Sequence, residues 1–192
     1  MIDCFHLGNK TVYDLAAKNK YRQQNAEVLY SKDSLTTADK SDIEHFKQLS
    51  SHNPRKRIRL CAHLDQDDLL HEMLIVHENN TYVRPHKHPG KSESTHIIEG
   101  LVDVVLFDDE GRIESVISMG DYATGKVFYY RMATPTFHTL IIRSEVLIFH
   151  ETTNGPFDRS DTIFAPWAPE DADVDAVVSF MSDLDRRTSS II

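Results

Sequence analysis

Thr81 to Gly100 reads TYVRPHKHPGKSESTHIIEG, and the spacing of its polar residues decides the fold. His86 and His88 stand one residue apart, Glu93 follows after four intervening residues, and Gly100 after six more. In an extended strand residues i and i+2 point to one face, so the two imidazoles project together. Pro85 favours extension of Arg84 before it. Pro89-Gly90 then turns the chain, and Ser94–Ile98 can return antiparallel, bringing Glu93 beside the imidazoles. Nitrogen and oxygen donors of this kind suit a divalent transition metal: zinc, iron, manganese or nickel, with copper a further fit.

Outward from this stretch the pattern stays β. From Arg55 the period becomes two, with Arg55, Arg57, Arg59, Cys61 and His63 alternating with Lys56, Ile58, Leu60 and Ala62. Further strands are predicted over 71–77, 81–86, 94–98, 101–107, 112–118, 127–132, 136–143 and 145–151. Their joints carry Asn79-Asn80, Pro89-Gly90, Asp108–Gly111 and Gly120-Asp121. Many short strands with regular turns predict an all-β sandwich or barrel over 55–151. Residues 1–54 read as an N-terminal elaboration: a weak helix over 11–24, a strand over 26–30, and a helix from a capping box at Ser41–Glu44 to about Ser51. Residues 152–192 read as a tail wrapping the barrel surface, anchored by Phe157, Phe164 and Trp167. It ends in a helix over 173–185 and a frayed terminus from Arg186.

The spacing HxH-x4-E-x6-G resembles the first motif of the cupin superfamily, whose histidines and glutamate bind metal. The family's second motif ends in a histidine, and His138 takes that place. The resemblance implies a jelly-roll barrel, the double-stranded β-helix of the cupins, with His86, His88, Glu93 and His138 around one metal. Two positions depart from the motifs: Asn80 and Pro135 stand where glycine is usual. Asn tolerates left-handed backbone, so a turn at Asn79-Asn80 is still expected. YVRPHKH, FDDEG, FHTL, HETTNGPF and FAPWAP narrow the resemblance to the WbuC-type cupin-fold metalloproteins. That group is associated with O-antigen and lipopolysaccharide gene clusters, and it brings no established reaction. Cupin-like barrels pair sheet edges, so a homodimer is expected, with the strand near Val28 able to cover an edge.

The chain has 192 residues and a formal net charge of -9, which disfavours nucleic acid and anionic membranes as partners. The N-terminus has no basic region followed by an apolar core, and no apolar run reaches membrane-spanning length. Two isolated cysteines, Cys4 and Cys61, make no disulfide framework, so a cytoplasmic protein is expected.

Against the acidic whole, basic residues gather near the histidines. Arg84, Arg57 and Arg59 are the candidate substrate contacts, matched to a small anionic molecule such as a sugar phosphate or nucleotide-sugar. Ion pairing with acidic residues such as Glu72 and Asp103 is the competing use of Arg57 and Arg59. Tyr82, Tyr130 and His96 are the candidate catalytic groups for moving a proton. His96 lies three residues beyond Glu93 and so faces away from it on a regular strand. His63, His71, His77 and His150 are further candidates for a cavity mouth. A metal-dependent sugar isomerase or epimerase fits this apparatus, with an iron oxygenase and a non-catalytic ligand-binding protein as alternatives.

Overall fold

The period-two segments fold as two facing sheets in a computed structural model that describes residues 20–191. In chain order the elements are β1 (Tyr21–Gln23), β2 (Val28–Ser31), α1 (Lys40–Ser51), β3 (Arg57–Cys61), β4 (Leu70–Glu78), β5 (His86–Lys87), β6 (Glu93–Glu99) and β7 (Leu101–Phe107). There follow β8 (Ile113–Gly120), β9 (Tyr129–Met132), β10 (Phe137–Ile142), β11 (Val146–Asn154), β12 (Ile163–Phe164) and α2 (Val174–Thr188). One sheet runs β1-β2-β3-β4-β11-β6-β9 and the other β12-β5-β10-β7-β8. From β4 onward the chain crosses between them at nearly every connection. All pairs are antiparallel except β2–β3. This is the jelly-roll barrel that the sequence predicts.

Inward-facing apolar residues of both sheets, among them Ile75, Ile97, Val102, Val104, Leu140 and Phe149, form the central core. Each sheet is also covered on its outer face. α1 packs Phe46 on Ile58, Leu60, Val76 and Ile148, and α2 packs Leu184 with Val105, Phe107 and Ile141. That double burial explains why Phe137–Ile142 is buried at every position instead of alternating.

Local chemistry sets the turns. Asn80 adopts φ 67°, the left-handed conformation expected where the motif has glycine. Gly100 (φ 98°) is required at the β6–β7 turn, because a Cβ there would lie 2.3 Å from the Val146 carbonyl oxygen. The capping box of α1 is formed by Asp39 and Asp42, two residues before the predicted start. Asp39 accepts from the Ser41 and Asp42 amides, and the Asp42 carboxylate accepts from the Asp39 amide at 2.9 Å.

Four other expectations change. Most of the helix expected over 11–24 lies outside the described residues, as does Cys4, and its final residues are strand β1 instead. Residues 81–85 are not a strand: regular pairing starts only at His86. α2 continues to Thr188, held where Arg143 bridges Asp103 and Asp185. In the tail Trp167 is the anchor, packed against Phe107 and Phe137, whereas Phe157 and Phe164 remain about half exposed. The strand near Val28 covers the β3 edge within its own chain, and β1 extends the sheet beyond it. No helix among the described residues is long and apolar enough to cross a membrane.

Candidate metal centre

β10 pairs β5 with His138 directly opposite His86, so a distant residue joins the HxH segment by strand register alone. One ring nitrogen from each of His86, His88 and His138 falls within 4.8 Å of the other two. The Nδ1 atoms are already committed to the backbone: His86 to the Arg84 carbonyl at 2.8 Å, His138 to Thr136 at 3.0 Å and His88 to Asp161 at 3.2 Å. A carbonyl accepts only, so each Nδ1 carries the proton and each Nε2 keeps its lone pair. Backbone anchoring of this kind orients imidazoles for metal.

Electrostatics point the same way. Burial, reinforced by the neighbouring His138 and His88, holds His86 down to about 3, so it is a neutral ligand at ordinary pH. Burial also lowers His88, partly offset by the Glu93 charge. Glu93 stands at the rim of the cluster, with its oxygens 3.3 Å from His138 Nε2 and 3.7 Å from His88 Nε2. The carboxylate is steadied by Tyr130, whose hydroxyl donates to Oε1 at 3.0 Å. The donor set therefore fits a divalent transition metal, with His86, His88 and His138 as ligands and Glu93 in reach as a fourth. Tyr130→Phe should leave the fold intact and weaken metal binding about 10- to 100-fold, the usual cost of losing such support. Competition with a chromogenic chelator measures it, and an unchanged affinity would remove Tyr130 from this role.

The centre opens into a cavity of about 350 Å³, whose lining includes Arg57, Arg59, Arg84, His77 and Glu151. Of the sequence candidates, Arg57, Arg59 and Arg84 reach this lining, but Arg57 is engaged by Glu27 at 2.7 Å. The partners considered for Arg57 and Arg59 are used elsewhere: Asp103 holds Arg143, and Glu72 lies near His150. Tyr82 is not brought to the centre. Its hydroxyl donates to the Pro169 carbonyl at 2.9 Å, because the irregular backbone before His86 breaks the alternation that would align it. His96 is exposed on the outer face of β6 against Phe128.

Two contributions escaped the sequence reading. Glu151 lies on β11 opposite Met73 and Thr95, and burial next to Glu93 pushes its carboxyl up to about 8. The signal was present: Phe149, Glu151 and Thr153 alternate on one face. The second is the tail itself. β12 pairs β5 with Phe164 opposite His86, and residues just before it anchor His88 through Asp161 and Thr162.

Gly155 closes the tail against the cavity wall. A Cβ there would lie 1.8 Å from the Asp68 carbonyl oxygen and 2.7 Å from the His71 ring. Gly155→Ala is therefore expected to cost about 1–3 kcal/mol or more. Urea unfolding measures it, and an unshifted midpoint would mean that the tail moves aside freely.

Residues 38–119 match a family described as a domain of unknown function, DUF6016. No curated protein matches the chain. Among solved structures, protein SO0799 from Shewanella oneidensis is similar at 10% identity and a TM-score of 0.43, over 54% of this chain and 66% of that one. Oxalate decarboxylase from Lactobacillus farciminis is similar at 15% identity and a TM-score of 0.41, over 50% of this chain and 27% of that one. The Bacillus subtilis oxalate decarboxylase at pH 4.6 gives 16% identity, a TM-score of 0.44 and coverage of 56% and 27%. The chain thus spans less than a third of the length of either oxalate decarboxylase.

Proposed function

We propose that this protein holds one divalent transition metal on His86, His88 and His138, with Glu93 beside it, and acts as an enzyme on a small anionic molecule in the adjoining cavity. The observation that carries the reading is the shared anchoring of the three imidazoles. Each Nδ1 meets a backbone carbonyl, which leaves the Nε2 lone pairs free, and one ring nitrogen of each imidazole lies within 4.8 Å of the other two. A bound metal would supply Lewis acidity toward a substrate oxygen. Glu151, with its carboxyl raised toward neutrality, is the residue suited to accept and return a proton in that cavity. Tyr130 fixes Glu93 and so acts as a positioning residue. Isomerisation or epimerisation of a sugar derivative fits a Lewis acid paired with one proton-moving carboxyl. The WbuC-type sequence resemblance supports a place in surface-polysaccharide synthesis.

Elemental analysis of untagged protein purified without chelator tests the metal. About one equivalent per chain is expected. Protein that holds no metal even after reconstitution with zinc, manganese, nickel and ferrous iron would overturn the proposal.

A further inference from the structure

The charges lining the cavity do not cancel evenly. Arg57 is paired with Glu27 at 2.7 Å, Arg55 with Asp171 at 2.5 Å and Lys91 with Asp161 at 3.0 Å. Two guanidiniums are left over. Arg59 makes no side-chain ion pair or hydrogen bond among the described residues. Arg84 reaches only the exposed Glu170, at 3.9 Å, a separation at which a solvated pair contributes little. Among the described residues Glu93 meets only histidines at ion-pair distance and the Glu151 carboxyl has no ion-pair partner, and both lie toward the imidazole cluster. A divalent cation there would offset the carboxylates. Among the described residues no carboxylate lies within ion-pair distance of Arg59, and Arg84 has only the exposed Glu170.

The same region holds unmet hydrogen-bonding capacity. Nε of Arg84 and Nδ1 of His77 are buried without a partner among the described residues, and both side chains line the cavity. Leaving such groups unpaired costs about 1–3 kcal/mol each, so natural structures keep them where a ligand or water completes them. Arg84 is also held in place: its guanidinium stacks on Phe164, with Cζ 5.1 Å from the ring centroid. A stacked guanidinium keeps its edge free for a planar or tetrahedral oxyanion. Desolvation and the neighbouring Arg57 and Arg59 keep His77 neutral, so it offers a hydrogen bond without adding to the charge.

We propose that Arg84, Arg59 and His77 form an oxyanion subsite that holds the carboxylate or phosphate of a compact ligand whose other end, bearing a hydroxyl or carbonyl, reaches the three imidazoles. This deepens the proposed function, and the reach to the imidazoles rests on that reading. The volume of about 350 Å³ is at the low end of small-molecule sites, about 300–1,000 Å³. That favours a single-ring or short-chain acid or phosphate ester over a nucleotide-linked sugar.

The test is calorimetric titration of the full chain, stripped of metal and then reloaded, with inorganic phosphate and separately with acetate at an ionic strength fixed with chloride. Saturable binding of at least one oxyanion to the stripped protein is expected, and the tighter of the two identifies phosphate or carboxylate chemistry. Arg84→Gln and Arg59→Gln should each weaken it tenfold or more with wild-type circular dichroism, while Arg112→Gln, on a remote turn, should not. Unchanged affinity in both cavity variants would overturn the subsite. So would binding that appears only in metal-loaded protein, since the oxyanion would then sit on the metal. His88→Ala separates the two proposals. Metal lost with oxyanion binding kept supports both. Oxyanion binding in a wild type that never takes up metal leaves the subsite standing and removes the metal reading.

Discussion

His138→Ala protein is expected to retain less than a tenth of the wild-type metal content and to bind added metal at least 100-fold more weakly. The loss should exceed the 10- to 100-fold effect of removing a supporting hydrogen bond, because a ligand itself disappears. His138 is the informative position because it is far from the HxH pair in sequence and meets it only through the β5–β10 register. Its ring is buried, and Nδ1 is held by the Thr136 carbonyl at 3.0 Å. A second readout keeps folding apart from binding. Metal at 100 times its dissociation constant should stabilise wild type by about 2.7 kcal/mol, and the variant should show no such increment while keeping its β-sheet circular dichroism. A folded His138→Ala protein with stoichiometric metal would show the centre to be wrongly assigned.

Acid should destabilise the metal-free protein, and the sign follows from the buried imidazoles. His77 and His86 are each held down to about 3 from 6.5, chiefly by burial. Below pH 6.5 the unfolded chain takes up these protons and the folded chain does not. Stability therefore falls as pH falls, by about 1.4 kcal/mol per pH unit for each fully engaged group. Glu151 opposes this. Its carboxyl is raised from 4.5 to about 8, so the folded chain holds an extra proton between those values. Stability should rise as pH drops from 8 to 6.5. From these three groups it should then fall by about 1.4 kcal/mol per unit down to pH 4.5, and by about 2.8 per unit below that, where Glu151 no longer opposes the two imidazoles. The loss from pH 6.5 to 3.5 comes to about 5.6 kcal/mol, enough to unfold a protein at the low end of the typical range of about 5–15 kcal/mol. Urea unfolding in chelator across this range measures the slopes. His77→Gln should make the acid limb shallower by about 1.4 kcal/mol per unit, and an unchanged limb would mean that His77 charges within the folded protein.

The sequence alone determined the β class, most strand positions and the HxH pair of the candidate metal site. These depend on short-range rules: period-two alternation, proline and glycine punctuation, and the i, i+2 geometry of a strand. Leu101–Phe107 matched its predicted bounds because its flanking turn residues are unambiguous. Asn80 took the left-handed turn because its side chain tolerates it. Tertiary structure alone decided which faces are internal, since helices cover both sheets and erase the alternation in β10. It also decided the roles of long-range partners. Arg57 is drawn to Glu27 thirty residues away, Tyr130 to Glu93, and His88 to a carbonyl of the tail. Glu151 gained its raised pKa only from the enclosure and the company of Glu93. Burial and register are properties of the assembled barrel, and no local pattern in the chain encodes them.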